Sequence, residues 1–349
     1  MSGSGFISCR LILSDGEDGV NAEQAGNACC RRDQSATQHR PAGSVGADGP
    51  NDTIKAVALP SIPASIAFIL ALVPVFAFGL AGDACARAAS RLPLVLRLTL
   101  PALLAAPYLI VALAAHTFHT PWLLACLLVP VAVAALLALA TRLDPGQHAH
   151  WLDFLVLIPL GLAVDLRWIQ PAWPPRVDVL GKLLLLDAGL YGFLAIRRLS
   201  GVGFNLHLRL RDLVIGLREF AFYAPIAIPI GLALGFLHPH SHVAHPWFVA
   251  PAWLYTFFAV ALPEEIFFRG WMQNLLERRL GRTAALFVTA CLFGLAHFNK
   301  HAAHFNWRYV LLAAVAGVFY GRAWRTDRRI GAAAITHATV DTIWGMLLR

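Results

Sequence analysis

Three short polar patterns interrupt apolar stretches in the last third of this chain. In the first, Glu264 and Glu265 are adjacent and Arg269 follows four residues after Glu265. On a helix the i, i+4 spacing puts Glu265 and Arg269 on one face, where they can pair. Glu264 then projects about 100° away. One carboxylate is neutralised and the other is left free, and a free, poorly solvated carboxylate suits general acid–base work. An interfacial salt bridge would account for Glu265 and Arg269, but not for a second glutamate beside them. The second pattern is Phe293-Gly-Leu-Ala-His297. A single histidine at a helix end is ordinarily structural, satisfied by a carbonyl or by water. The third is His337-Ala-Thr-Val-Asp341, again at i, i+4. There an aspartate can hold an imidazole in one tautomer, or the two can form a self-satisfied polar pair.

The elements that carry these residues follow from composition. Of 349 residues, 58% are hydrophobic and 14% charged, and the mean hydropathy is +0.62. Soluble domains carry about 25% charged residues. A soluble enzyme is thereby disfavoured and disorder is excluded for most of the chain. The expected fold is all-α, a polytopic transmembrane helical bundle of about eight to ten transmembrane helices. Ten apolar segments are read near 61–81, 98–117, 121–141, 151–169, 179–196, 213–237, 247–276, 283–299, 307–323 and 330–348. Segment 179–196, with Lys182 and Asp187, has the weakest pattern. Residues 1–55 read as a disordered polar tail without the apolar core of a signal peptide, either regulatory or added by an early start codon. Residues 56–200 are expected to hold N-terminal transmembrane helices of unassigned role, and 201–349 a catalytic core.

The net charge of +8 does not point to nucleic acid, because no basic run is interleaved with aromatics. If the loops after alternate helices face the cytoplasm, they hold seventeen arginines against six Lys and Arg opposite, a positive-inside pattern. The six cysteines show neither CxxC nor Cys/His zinc spacing. Gly231/Gly235 and Gly317/Gly321 read as close helix packing. Asp153 and Asp165 are expected at solvated helix ends, the histidines of 238–245 in a solvated loop, and His301 and His304 exposed.

Intramembrane charge is costly, about 2.5–3.5 kcal/mol per residue on insertion scales, and so marks function. Counted along ideal helices from the flanking arginines, Glu264 and His297 lie about 21 and 22 Å deep, and His337 and Asp341 about 12 and 18 Å. Two carboxylates and two imidazoles at similar depth suggest a hydrolytic cavity.

The order Glu-Glu-xxx-Arg, Phe-xxx-His, His-xxx-Asp over Glu264–Asp341 resembles the CPBP family. These are the type II CAAX prenyl endopeptidases and the Abi or bacteriocin-processing and immunity proteins. The resemblance implies an intramembrane endopeptidase whose catalytic set is Glu264, Glu265, Arg269, His297, His337 and Asp341. Glu264 and His297 would activate water, Glu265 and Arg269 would support, and His337 with Asp341 would hold the oxyanion. Asp341 departs from the asparagine usual in the prenyl proteases. A charged carboxylate cannot stabilise an oxyanion, so Asp341 must be protonated, orient His337 or bind metal. The family has been described both as glutamate-dependent and as metallo-endopeptidases. The metal-independent form is favoured here, for want of a His-Glu-xx-His helix, with no cofactor. If zinc is held, its ligands are Glu264, His297, His337 and Asp341. Expected partners are the lipid bilayer and a membrane-associated peptide or protein substrate. The expected location is a bacterial inner membrane, with the site reached from the cytoplasmic side. Two other readings stand beside this one. One is a catalytically silent immunity or scaffold protein of the same fold. The other is an ion- or proton-coupled transporter, which the lack of a sequence repeat disfavours.

Overall fold

The computed structural model describes residues 61–239, 246–300 and 304–348. The polar tail, His240, His242, His245 and His301 lie outside them. Ten helical segments follow one another, each overlapping one of the ten apolar runs, with a 3-10 turn at Gln170–Ala172. They are α1 (Ile62–Arg91), α2 (Leu94–Ala114), α3 (Thr120–Leu143), α4 (Trp151–Asp165) and α5 (Val179–Ile196). The C-terminal half holds α6 (Leu210–Ala233), α7 (246–280), α8 (Arg282–Leu295), α9 (Trp307–Asp327) and α10 (Ile330–Leu347). Among the described residues there is no strand, so the expected all-α bundle is the observed one. α1, α2, α3, α5 and α6 are long and apolar enough to cross a bilayer. α4 and α8 have 15 and 14 residues and fall short of a full span, while α7 and α10 carry the largest groups of buried polar side chains. Several long apolar helices fit an integral membrane protein.

The segment with the weakest apolar pattern, α5, is the most enclosed of the long helices, 78% buried within the bundle. Its Asp187 faces protein rather than lipid, which is where a bilayer tolerates an acidic side chain. Asp153 departs from expectation. It is fully buried at the start of α4, where it caps His150 and pairs with Arg197, so burial with a partner replaces solvation.

Glycine sets the geometry of the C-terminal half. At Gly317 on α9 a Cβ would lie 3.0 Å from Ala290 Cα, and at Gly294 on α8 one would lie 2.5 Å from the Val310 carbonyl. The α8–α9 hairpin closes through these small residues. Gly203 adopts φ +75°, its carbonyl accepts the Ile330 N–H at 3.0 Å, and a Cβ there would collide with the Arg328 carbonyl. That contact sets where α10 begins. α6 and α10 meet where Thr336 Oγ1 donates to the Gly216 carbonyl at 3.0 Å.

Candidate active site

α7 is not one regular α-helix. Wide turns at Phe257–Ala261 and Ile266–Gln273 flank a short α-helical piece, Leu262–Glu265. Pro263 removes a backbone N–H inside this helix, and such wide π-type turns concentrate at functional positions. Glu264 and Glu265 sit at the irregularity. Glu265 and Arg269 are both fully buried, and Arg269 Nε lies 3.1 Å from Glu265 Oε2, the pairing that their spacing predicts.

The other oxygen of Glu265 reaches α10. His337 Nδ1–H donates to Glu265 Oε1 at 2.8 Å. Its Nε2 points to two further carboxylates, Asp341 Oδ2 at 3.4 Å and Glu264 Oε2 at 3.9 Å. The nearest support of the His337 ring therefore comes from Glu265 on another helix. Asp341, its i, i+4 neighbour, stands at the opposite nitrogen and is partly open. Lys300 Nζ lies 3.9 Å from Glu264 Oε1.

His297, two residues beyond the end of α8, donates Nδ1–H to the Phe293 carbonyl at 2.8 Å. This fixes the tautomer in which Nε2 carries the lone pair. The Phe293 ring touches both imidazoles, with centroids 4.9 Å from His297 and 5.6 Å from His337. It also lies under the Arg269 guanidinium at 4.8 Å. One ring thus spaces the second and third motifs and covers a cation of the first.

His297, His337 and Asp341 line one cavity of about 60 Å³, walled by Phe220, Tyr223, Tyr309, Tyr320 and Trp344 among others. That is room for about four to six waters. Glu264, Glu265 and Arg269 are not among the lining residues, although Glu264 Oε2 comes within 3.9 Å of His337 Nε2. Two participants have no clear sequence signal. Tyr320 stacks on His337 with centroids 4.5 Å apart and planes 15° apart, yet on α9 it is one aromatic among several. Lys300 reads from sequence as an outside-loop charge, although it approaches Glu264. Arg269 in turn is no loop charge; it is enclosed at the site. His304 is exposed as expected, and the His238 N–H donates to the Leu348 carbonyl at 3.0 Å.

Among the described residues no three His, Cys, Asp or Glu side chains are grouped to hold an ion. Within the set Glu264, His297, His337 and Asp341, the two ring nitrogens not held by Phe293 or Glu265 are Nε2 of His297 and Nε2 of His337, the latter facing Asp341 at 3.4 Å and Glu264 at 3.9 Å.

No curated protein and no solved structure matches the chain. Residues 246–343, from the start of α7 to within α10, match the family model described as type II CAAX prenyl endopeptidase Rce1-like. This stretch contains all three polar motifs.

Proposed function

We propose that this protein is an intramembrane endopeptidase, hydrolysing a peptide bond with water activated by Glu264 and His297. The observation that carries the reading is the clamped His337. One nitrogen is held by Glu265, itself neutralised by Arg269, and the other is presented between Glu264 and Asp341 at the cavity. A positioned N–H of this kind can stabilise a developing oxyanion.

In this mechanism Glu264 takes a proton from water as the water oxygen bonds to the scissile carbonyl carbon. The carbonyl oxygen becomes an oxyanion that accepts from His337 Nε2–H. His297 Nε2 accepts a hydrogen bond from the same water and orients it. Collapse of the tetrahedral intermediate breaks the C–N bond, and the proton held by Glu264 passes to the leaving amine. Asp341 orients the Nε2 side of His337, a role open to a charged carboxylate. No step needs a metal. The resting cavity is far smaller than the roughly 300–1,000 Å³ of ordinary ligand sites, so a peptide must part the aromatic walls to enter. The substrate is membrane-associated, and the arginine-rich end of the helices faces the cytoplasm of a bacterial cell membrane.

The test is cleavage of candidate membrane peptides by purified protein in lipid. Glu264→Ala and His297→Ala are each expected to lower cleavage by about 10²–10⁴-fold while the protein stays folded. Chelator should leave the wild-type rate unchanged. Retained cleavage in either variant sinks the assignment and favours a silent scaffold, and loss in chelator sinks the metal-free mechanism.

A further inference from the structure

Where α6, the start of α8 and the end of α9 meet, Arg218, Arg282, Arg322 and Arg325 line one open pocket with Glu219 and Thr326. Glu219 is buried and already committed. Its Oε1 accepts from Arg218 at 2.8 Å and its Oε2 from Arg322 at 2.9 Å. Glu277 is shared in the same way, with Arg325 at 3.4 Å and Arg328 on its other oxygen. Two carboxylates thus serve four guanidiniums, and the fifth, Arg282, has no acidic partner among the described residues. Arg282 is also the first residue of α8, after Gly281, which has no side chain to cap the exposed N–H groups. The helix end therefore adds partial positive charge to the same place. Burial lowers the pKa of Arg325; Glu277 opposes this, and repulsion from Arg282 and Arg328 adds to it. The pocket repels its own cations, a state that an anion would relieve.

The surroundings say which anion. Phe222 on α6 is 52% exposed and Phe287 on α8 is 55% exposed. The Arg322 guanidinium lies 5.9 Å from the Phe222 ring centroid and 5.6 Å from that of Phe319. Guanidinium forks match phosphate oxygens two at a time, and exposed apolar rings beside them suit acyl chains. We propose that this pocket binds the phosphate headgroup of an anionic phospholipid, with Arg282 as the cation that has no internal partner. The site is separate from the His337 cavity and does not depend on the hydrolytic reading.

The test uses full-length protein purified in neutral detergent. Retention of phosphatidylglycerol and phosphatidylcholine is compared by native mass spectrometry, and inorganic phosphate is added separately in thermal unfolding. Phosphatidylglycerol should be retained preferentially, and Arg282→Gln should weaken it about fivefold, as expected for one membrane-facing charge. Because Arg282 has no acidic partner among the described residues, this change orphans no carboxylate there. Arg308→Gln, at the far end of α9, should leave retention unchanged. Stabilisation by inorganic phosphate that is lost in Arg282→Gln also supports the site, with a free anion as its ligand. Equal retention of both lipids with no phosphate effect, or an equal loss in Arg308→Gln, overturns it.

Discussion

Two buried arginines, one in each half of the molecule, are held in different ways. Arg197 follows α5 and has nearly every donor in use. Its Nε donates to Asp153 at 2.9 Å, Nη1 to the Asp144 carbonyl at 2.7 Å, and Nη2 to Asp144 Oδ2 at 2.7 Å. Nη2 also donates to Asp153 Oδ2 at 3.1 Å. Arg269 is equally buried but donates one clear hydrogen bond, from Nη2 to the Gly317 carbonyl at 3.1 Å. Its Nε is ion-paired with Glu265 without hydrogen-bond alignment, and Nη1 has no hydrogen-bond partner. Aromatic rings surround it instead, Phe293 at 4.8 Å and Tyr320 at 5.4 Å. A saturated ion cluster is a structural fastener. A buried cation with unused donors, tied to a glutamate that also holds His337, leaves local energy unspent, as functional sites do.

This contrast can be broken from either side. Arg269→Met is expected to give the largest effect. It leaves Glu265 as an uncompensated buried charge, costing about 3–5 kcal/mol, and frees the acceptor that orients His337. Cleavage per folded molecule should fall at least a hundredfold, as when a transition-state donor is lost. Arg197→Met should cost a similar about 3–5 kcal/mol in unfolding measurements, because Asp144 and Asp153 are orphaned together. The fraction still folded, however, should cleave at the wild-type rate. If both variants lose activity in proportion to folded protein, the two arginines are alike and the distinction fails.

A finer test concerns packing rather than charge. Tyr320→Leu removes the ring stacked on His337 and keeps an apolar volume there. Such ring pairs contribute about 0.5–1.5 kcal/mol beyond burial, so cleavage should drop by about two- to tenfold. The loss should appear in kcat, since Tyr320 orients the imidazole. A change confined to KM would make Tyr320 a wall of the cavity and nothing more.

Much of this was readable from the residues, and the rest was hidden for physical reasons. All ten apolar runs are helices, because a bilayer accepts few other backbones and long apolar runs announce themselves. The i, i+4 spacing brought Glu265 to Arg269 even through an irregular helix. The same rule placed Asp341 at His337 Nε2, 3.4 Å away, but missed the partner at Nδ1, since it sees only neighbours on one helix. Glu265 lies seventy-two positions away on α7. Asp153 was read as a solvated helix end, and Arg197 was counted among the loop arginines, for the same reason. A charge beside an apolar segment reads as solvated unless its partner, here 44 to 53 positions distant, is known. Tyr320 and the α6 wall of the cavity stayed invisible because aromatic residues in a membrane helix look alike until packing chooses among them.

The smallest effect belongs to the fastener and concerns pH. Burial alone would push the Asp144 carboxyl up. The hydrogen bonds from the His148 backbone and ring, then the hydrogen bond and charge of Arg197, outweigh burial and hold it down at about 2. A carboxylate held below its ordinary value of 3.8 stabilises the fold fully above that value and loses the contribution as pH falls through the folded value. Unfolding temperature should therefore decline between about pH 4 and pH 2 with a component that Asp144→Asn removes. The variant should be less stable than wild type near neutrality and approach it at the acid end. His148 is mostly exposed, so His148→Ala should take away only part of that component. A pH profile of Asp144→Asn parallel to wild type throughout would mean that Arg197 is held by Asp153 alone.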